Sequence, residues 1–458
     1  MESISLQEVI EAVDGKLVKN GEVDRFSKVS IDSRRVNTGD IFFALEGENF
    51  DGHNYLHGAI EKGAKLCIVH HEDIDLNKIP KDTSIIKVRN TREALLDLAR
   101  YYRNKLKIKV IGITGSTGKT STKDLVAAVL SEKYKVFKTE GNYNNEVGLP
   151  LMIFNLDNSY DVAVLEMGMS NLGEIETLAK VADPHIGIIT NVGLSHIENL
   201  KTRENILKAK MEITTFFNSN NTLIINADND MLRTVNSIKY KTVKIGIEND
   251  YNFKGSRIII SNDHIKFNVI ENGSEMQTQI EVNVPGKHNV LNSLLAIAVA
   301  RELGLNYEEI AHGIKNLEFT SMRLDIIDCG KYIVINDAYN ASPDSMEAAI
   351  DVLKNYQGKR KIAVLGTMKE LGHEAYDAHM KVGQYAKKCD VDLLFTVGEF
   401  NEAFAQGFGL DNILTFHTQE ELLECLSTKI EEGDVILVKA SRSMKFENIV
   451  SGIQKTTV

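Results

Sequence analysis

Apolar and polar positions change rhythm along the chain, and each rhythm implies a different kind of element. Up to about residue 85 the apolar runs are short and separated by many loop-forming residues. From Lys109 onward, continuous apolar runs alternate with helix-spaced ones, as in a mainly parallel sheet with crossover helices. Lys109-Val110-Ile111-Gly112-Ile113-Thr114 predicts a buried strand, and residues 121–132, with Leu125, Val126, Val129 and Leu130 at helical spacing, predict the helix that follows. Residues 161–165, 186–190 and 222–226 predict further strands. Between Thr242 and Val284 the rhythm becomes period two, in 242–245, 257–260, 265–268 and 280–283. Gly255, Asn262-Asp263 and Asn272-Gly273 punctuate these runs, which predicts an antiparallel meander. A second α/β series starts near Phe319, with strands expected at 332–335, 362–365, 393–396 and 435–438 and a helix at 345–355.

The expected fold class is therefore α/β in three domains: a small α/β domain over 1–84, a central domain over 85–318 with a mainly parallel sheet plus a meander, and a C-terminal α/β domain over 319–458. A length of 458 residues agrees, at about 150 residues per domain. No internal repeat or low-complexity tract interrupts the series.

Composition narrows the class. Lys and Arg total 53 against 64 Asp and Glu, a formal net charge of −11, which argues against sequence-independent nucleic-acid binding. No apolar run approaches the ~18 residues needed to span a bilayer, and the first residues lack the basic and apolar regions of a secretory signal. A soluble cytoplasmic protein is expected, with a monomer as the default. Cys67, Cys329, Cys389 and Cys425 are far apart and form no CxxC pair, so they read as thiols in a reducing compartment.

The most informative segment is Gly112-Ile113-Thr114-Gly115-Ser116-Thr117-Gly118-Lys119-Thr120-Ser121. It leaves an expected strand and opens an expected helix, the setting of a phosphate-binding loop. Glycines let backbone amides converge on phosphate oxygens, the helix N-terminus favours negative charge, Lys119 adds a point charge, and Thr120 offers a hydroxyl to Mg²⁺. Ile113 stands where the full Walker A pattern has Gly, so the match is to a shortened GxxGK[ST] form. No NKxD guanine-reading motif exists in the chain, which argues against a GTPase switch.

Two later strand ends carry polar groups where α/β sheets place ligands, at the carboxyl edge. Residues 161–165 run into Glu166, and 186–190 run into a loop holding His196. A carboxylate and an imidazole beside a triphosphate suit divalent-cation ligation. Lys208 and Lys210 follow on a helical pattern, where spacing alone reads them as a solvated basic face.

These residues resemble the Mur ligase family, ATP-dependent enzymes that form amide bonds in cell-wall precursor synthesis. The resemblance rests on Gly115-Ser116-Thr117-Gly118-Lys119-Thr120, Leu165-Glu166-Met167-Gly168, Asn191-Val192-Gly193-Leu194-Ser195-His196 and Gly286-Lys287-His288-Asn289-Val290-Leu291-Asn292, and it spans the chain. Ile31-Asp32-Ser33-Arg34-Arg35-Val36, Gly39-Asp40-Ile41-Phe42-Phe43-Ala44-Leu45 and Asp51-Gly52-His53 are similar to the N-terminal domain of the third- and fourth-residue ligases. Gly141-Asn142-Tyr143-Asn144-Asn145-Glu146-Val147-Gly148-Leu149-Pro150 and Asn336-Asp337-Ala338-Tyr339-Asn340-Ala341-Ser342-Pro343-Asp344-Ser345-Met346 are similar to the fourth.

The resemblance implies a uridine-nucleotide-binding first domain, a central ATPase and a Rossmann-like C-terminal domain. It implies a ligase joining D-alanyl-D-alanine to UDP-N-acetylmuramoyl-tripeptide with ATP and two Mg²⁺. Gly115, Ser116, Thr117, Gly118, Lys119, Thr120 and Ser121 would hold phosphates. Asn289 and Asn292 would meet the nucleotide, Asn292 at the adenine, with N-capping of their helix as the alternative role. Arg323, Asp337 and Asn340 would reach it from the C-terminal side. Thr120, Glu166, His196 and a carbamylated Lys210 would hold the metal ions, with Lys119, His196, Lys210 and Arg323 as the catalytic set. Ser33 and Arg34 would meet the uridine nucleotide, and Asn142, Asn144 and Asn145 the muramoyl-peptide. In Lys439-Ala440-Ser441-Arg442 an Ala replaces the family's usual Gly, which would strain the backbone if φ were positive. That loop is left outside the expected site. A related ligase with another substrate (third-residue or folylpolyglutamate type) and a non-ligating nucleotide-binding protein are the alternatives.

Overall fold

The long apolar runs become interior strands because helices cover both faces of the sheet they form. In a computed structural model describing residues 1–317, 320 and 322–455, the chain builds three main sheets. The first has the order Lys16–Lys19, Ser84–Lys87, Leu66–Val69, Ile41–Phe43, Val29–Ser30, antiparallel only at its first pair. The position 84/85 falls inside the strand Ser84–Lys87, so this sheet closes only at Lys87. The position 318/319 lies outside the described residues.

The central sheet has 10 strands among the described residues. Its third strand in spatial order, Lys109–Thr114, lies between Val162–Glu166 and Ile186–Ile189, parallel to both. The chain runs outward on one side of Lys109–Thr114 and then returns to build the other, so this strand marks the topological switch where α/β sheets bind ligands. The strands 109–114, 162–166, 186–189 and 222–226 appear within a residue or so of the expected positions.

The meander needs one correction. Lys241–Gly246 is parallel to Thr222–Asn226 and to Phe253–Ile260, so it belongs to the parallel part. Antiparallel pairing begins only between Phe253–Ile260 and Ile265–Glu271 and continues to Ile280–Val282. Its period-two pattern arises because one face of Lys241–Gly246 is less deeply covered over most of its length, a condition independent of strand direction.

The third sheet has the order Asp325–Asp328, Ile333–Asn336, Asp434–Lys439, Arg360–Gly366, Leu393–Val397, Ile413–Phe416, with one antiparallel edge, Asp325–Asp328. That edge strand and Ile413–Phe416 escaped the sequence reading because both are short and only partly buried. The helix Pro343–Asn355 starts two positions early, at a proline, which suits a first helical turn where no N–H is needed. No described helix is long and apolar enough to cross a membrane.

Candidate active site

The phosphate loop is shaped by two glycines. Gly118 has φ 78° and caps the helix Lys119–Leu130, which therefore begins before the expected Ser121. Gly115 has φ 155°, and a Cβ there would sit 1.8 Å from Thr190 Oγ1, so the loop lies hard against the end of the neighbouring strand. Asn191 holds it there: Ser116 N–H donates to the Asn191 carbonyl at 3.1 Å and Thr117 N–H to its Oδ1 at 2.8 Å. Those two amides are thus engaged within the protein. Among the described residues no backbone acceptor takes the amides of Gly118, Lys119 or Thr120, which remain for an anion. Lys119 Nζ donates to the Gly115 carbonyl at 2.8 Å, and burial pulls its pKa below the usual lysine range.

Glu166 is 4 % exposed and ends its strand one step from the loop. Thr120 Oγ1 lies 3.0 Å from its Oε2, and Asn144 Nδ2 donates to its Oε1 at 2.9 Å. Thr120 and Glu166 therefore present converging hard oxygens, the donor set that Mg²⁺ takes. His196 sits nearby in a left-handed conformation, φ 66°, its Nδ1 2.7 Å from Glu370 Oε2.

Asn289 and Asn292 lie inside the helix His288–Glu302, whose N-cap is Lys287, so neither caps it. Both are buried, and Asn292 Oδ1 accepts from Thr122 Oγ1 at 3.3 Å, tying this helix to the phosphate-loop helix. From the C-terminal side, Arg323 Nη2 donates to Thr120 Oγ1 at 2.9 Å, and its guanidinium lies 4.2 Å from the Tyr339 ring centroid. Asp337 pairs with the buried Lys439, which also donates to the Asn340 carbonyl at 2.9 Å.

One cavity of about 690 Å³ joins these groups. Of the expected site residues it is lined by Ser116 through Ser121, Asn142, Asn144, Asn145, Glu166, His196, Asn289, Asn292, Arg323, Asp337 and Asn340. It is polar, lies at the switch point and is walled by both larger sheets.

Three family models match the chain: Mur ligase family, catalytic domain, at residues 25–103; Mur ligase middle domain at 113–300; and Mur ligase, glutamate ligase domain, at 322–442. The chain belongs to the Mur ligase family. The UDP-N-acetylmuramoyl-tripeptide–D-alanyl-D-alanine ligase of Bacillus subtilis is 37% identical over 456 residues, covering 98% of each chain. The Escherichia coli enzyme of that name is 32% identical over 466 residues, covering 99% of each. The crystal structure of MurF from Acinetobacter baumannii superposes with a TM-score of 0.92 at 29% identity, covering 99% of both chains. MurF from Thermotoga maritima in complex with ADP superposes with a TM-score of 0.84 at 29% identity, covering 94% of this chain and 97% of that one.

Within this Mur ligase, Lys208 and Lys210 part company. Lys208 is exposed, whereas Lys210 is 1 % exposed, and burial drives its pKa well below the ordinary value, with Lys119 pushing the same way. Lys210 is not among the cavity-lining residues, nor is Gly115. Ser33 and Arg34 lie in the first sheet's loops, away from the cavity; Arg34 is exposed and its Nε donates to Asp32 at 2.9 Å. Asn145 Oδ1 accepts from Gly148 N–H at 2.8 Å, fixing the start of the helix Gly148–Phe154.

The sequence reading gave no role to Asn191 and Tyr339, though both stand in the motifs, nor to Glu370; the fold brings them to the loop, the guanidinium and the imidazole. It also set aside Lys439 and Arg442 because of Ala440. Ala440 is not among the described residues with positive φ and is fully buried in the third sheet's core, so the substitution introduces no backbone strain. Lys439 and Arg442 both line the cavity. A second cluster, His53, His70 and His71, brings three imidazoles together, but both His53 nitrogens are engaged, with Asp51 at 2.6 Å and with the His70 N–H at 3.0 Å.

Proposed function

We propose that this Mur ligase joins D-alanyl-D-alanine to the terminal carboxylate of UDP-N-acetylmuramoyl-tripeptide with cleavage of ATP to ADP and phosphate. Full-length likeness to ligases of that name, at 37% identity over 456 residues, carries the substrate reading. The cavity chemistry supports the reaction class.

A carboxylate is a poor acylating agent because oxide is a poor leaving group. In the proposed sequence the tripeptide carboxylate oxygen attacks the γ-phosphorus of ATP and the bond to ADP breaks, giving an acyl phosphate. The amine of D-alanyl-D-alanine then attacks the acyl carbon, phosphate leaves with the bonding pair, and the nitrogen loses its proton. Both steps spread negative charge over phosphoryl oxygens, so fixed positive groups are the protein's main contribution. Lys119, the free amides of Gly118, Lys119 and Thr120, and Arg323 meet that requirement around one cavity. Phosphate oxygens would replace the Gly115 carbonyl as the partner of Lys119.

Thr120 and Glu166 would hold one Mg²⁺, and His196 a second, the ions supplying further charge neutralisation for the transferring group. A carbamate on Lys210 fits the same scheme. Burial favours the neutral amine, whose nitrogen would add to CO₂ and release a proton, leaving an anionic carbamate as an oxygen donor. Asn289, Asn292, Asp337 and Asn340 would contact the nucleotide, Asn142, Asn144 and Asn145 the muramoyl-peptide, and Ser33 and Arg34 the uridine end. In this reading the first domain ends with the strand Ser84–Lys87 and the central domain passes into the C-terminal one at 318/319. A monomer in the cytoplasm, where ATP and nucleotide-linked precursors meet, completes the reading.

The test is phosphate release with ATP, Mg²⁺ and UDP-N-acetylmuramoyl-tripeptide, with and without D-alanyl-D-alanine, with the product weighed by mass spectrometry. Release that requires the dipeptide and yields its mass increment supports the reading. Release that responds instead to a single amino acid keeps the ligase chemistry and overturns the substrate.

A further inference from the structure

Asp124 has no part in the chemistry above, yet it is fully buried on the phosphate-loop helix, one turn beyond Thr120. Its Oδ1 accepts from Lys138 Nζ at 2.8 Å. Its Oδ2 accepts from Thr320 twice, from Oγ1 at 2.7 Å and from the backbone N–H at 3.2 Å. Burial opposes its charge, but Lys123 beside it and these hydrogen bonds outweigh that and hold its pKa below the usual carboxylate range. Thr320 belongs to the connection between the helix Tyr307–Lys315 and the strand Asp325–Asp328, three residues before Arg323.

The backbone around Arg323 needs such an anchor. Met322 and Leu324 have φ 62° and 54°, conformations that side-chain-bearing residues rarely adopt. Leu324 N–H is held at 3.3 Å by Asp337 Oδ1, a carboxylate of the third sheet. Thr320 is held by Asp124, a carboxylate of the central sheet's helix. Arg323 thus sits between two aspartate-anchored points on different sheets. Its charge also acts on Lys119, whose pKa it lowers in the same direction as burial does.

We propose that the Asp124–Thr320 contact is a positioning device: it anchors the chain at Thr320, three residues before Arg323, so that the Arg323 guanidinium is already at the phosphate site when ATP binds. The device acts through Arg323 and rests on the assignment of that residue to the phosphates. A pre-placed guanidinium avoids ordering a long side chain against a like charge during the reaction.

The test uses the full-length protein with Thr320→Val, which removes one hydroxyl and leaves the backbone donor, beside Thr320→Ser as the conservative rescue. Expected for Thr320→Val is a kcat about tenfold lower, with KM for ATP changed less than about threefold and a thermal midpoint only a few degrees lower, about the loss of one hydrogen bond to a buried charge. Trypsin should cut after Arg323 faster in this variant than in the unaltered protein, and Thr320→Ser should restore both readouts. In the Arg323→Ala background, Thr320→Val should add no further loss of kcat. An additive loss, or unaltered kcat and cleavage in Thr320→Val, overturns the device while leaving the role of Arg323 intact. Full activity of Arg323→Ala overturns the phosphate assignment and the device with it.

Discussion

Glu370 Oε2, from the loop after the third sheet's strand Arg360–Gly366, lies 2.7 Å from Nδ1 of His196, at the edge of the central sheet. Glu198 N–H also donates to the Glu370 carbonyl at 3.2 Å, so the same residue meets the central domain through backbone and side chain. The His196 contact holds the Glu370 carboxyl below its usual pKa range, although burial works against it. A carboxylate on one imidazole nitrogen orients the ring and leaves the other nitrogen for a ligand.

Removing that carboxylate should therefore slow the reaction more than it weakens nucleotide binding. If His196 holds the proposed metal ion, the expected kcat of Glu370→Ala is lower by about ten- to a hundredfold, the usual effect of losing the partner that orients a ligating histidine. ATP affinity, measured by calorimetry, should change little. A variant with unaltered kcat would leave the contact as packing between domains.

If Lys210 carries the proposed carbamate, Lys210→Ala should be nearly inactive, because the buried position then offers no oxygen donor. Short carboxylates such as formate or acetate, added to the assay, should restore part of the activity by occupying the vacated volume. Full activity without rescue would show that Lys210 is only a buried stem. The neutral amine favoured by burial predicts a further difference: exhaustive removal of CO₂ and bicarbonate should lower the activity of the unaltered enzyme and not that of the rescued variant.

His379 gives the third sheet a defined acid limit. It is fully buried, accepts from Met368 N–H through Nε2 at 2.8 Å and has Nδ1 2.6 Å from the Ala375 carbonyl. Burial lowers its pKa to about 4. The unfolded chain takes up this proton near pH 6.5 and the folded chain only near 4, so the stability it supports is complete above about 6.5 and is lost as pH falls between those values. The slope is about 1.4 kcal/mol per pH unit. Urea titrations of the protein and of His379→Gln at pH 7 and pH 5 should show the loss on acidification smaller in the variant by about 2 kcal/mol.

Ala440→Gly should destabilise the protein. The residue lacks positive φ, so glycine relieves no strain there, while its buried methyl group packs in the third sheet's core. The expected loss is about 1 kcal/mol from backbone entropy and lost burial, measured as a lower urea midpoint. A gain in stability would mean that the turn after Lys439 is under tension.

Local patterns reached far into this fold because many of its decisive features are local. A strand, a glycine-rich turn, Lys119-Thr120 and a helix follow one another within a few residues, and their chemistry needs no distant partner to be visible. Continuous apolar runs likewise marked the buried parallel strands, since both faces of such strands are covered. Other features had no local signature. Lys208 and Lys210 share residue type and helix, and only packing put one in solvent and the other in the interior. Asn289 and Asn292 stood where a cap was plausible until Lys287 proved to precede them as the cap. The direction of Lys241–Gly246 depended on its neighbours in the sheet, and the pairing of Glu370 with His196 on two domains meeting. Residue type and spacing determine which chemistry is available, because they act over a turn or a strand. Burial, strand direction and contacts across some hundred and seventy residues, as between His196 and Glu370, are properties of the packed chain, and the tertiary structure alone decided them.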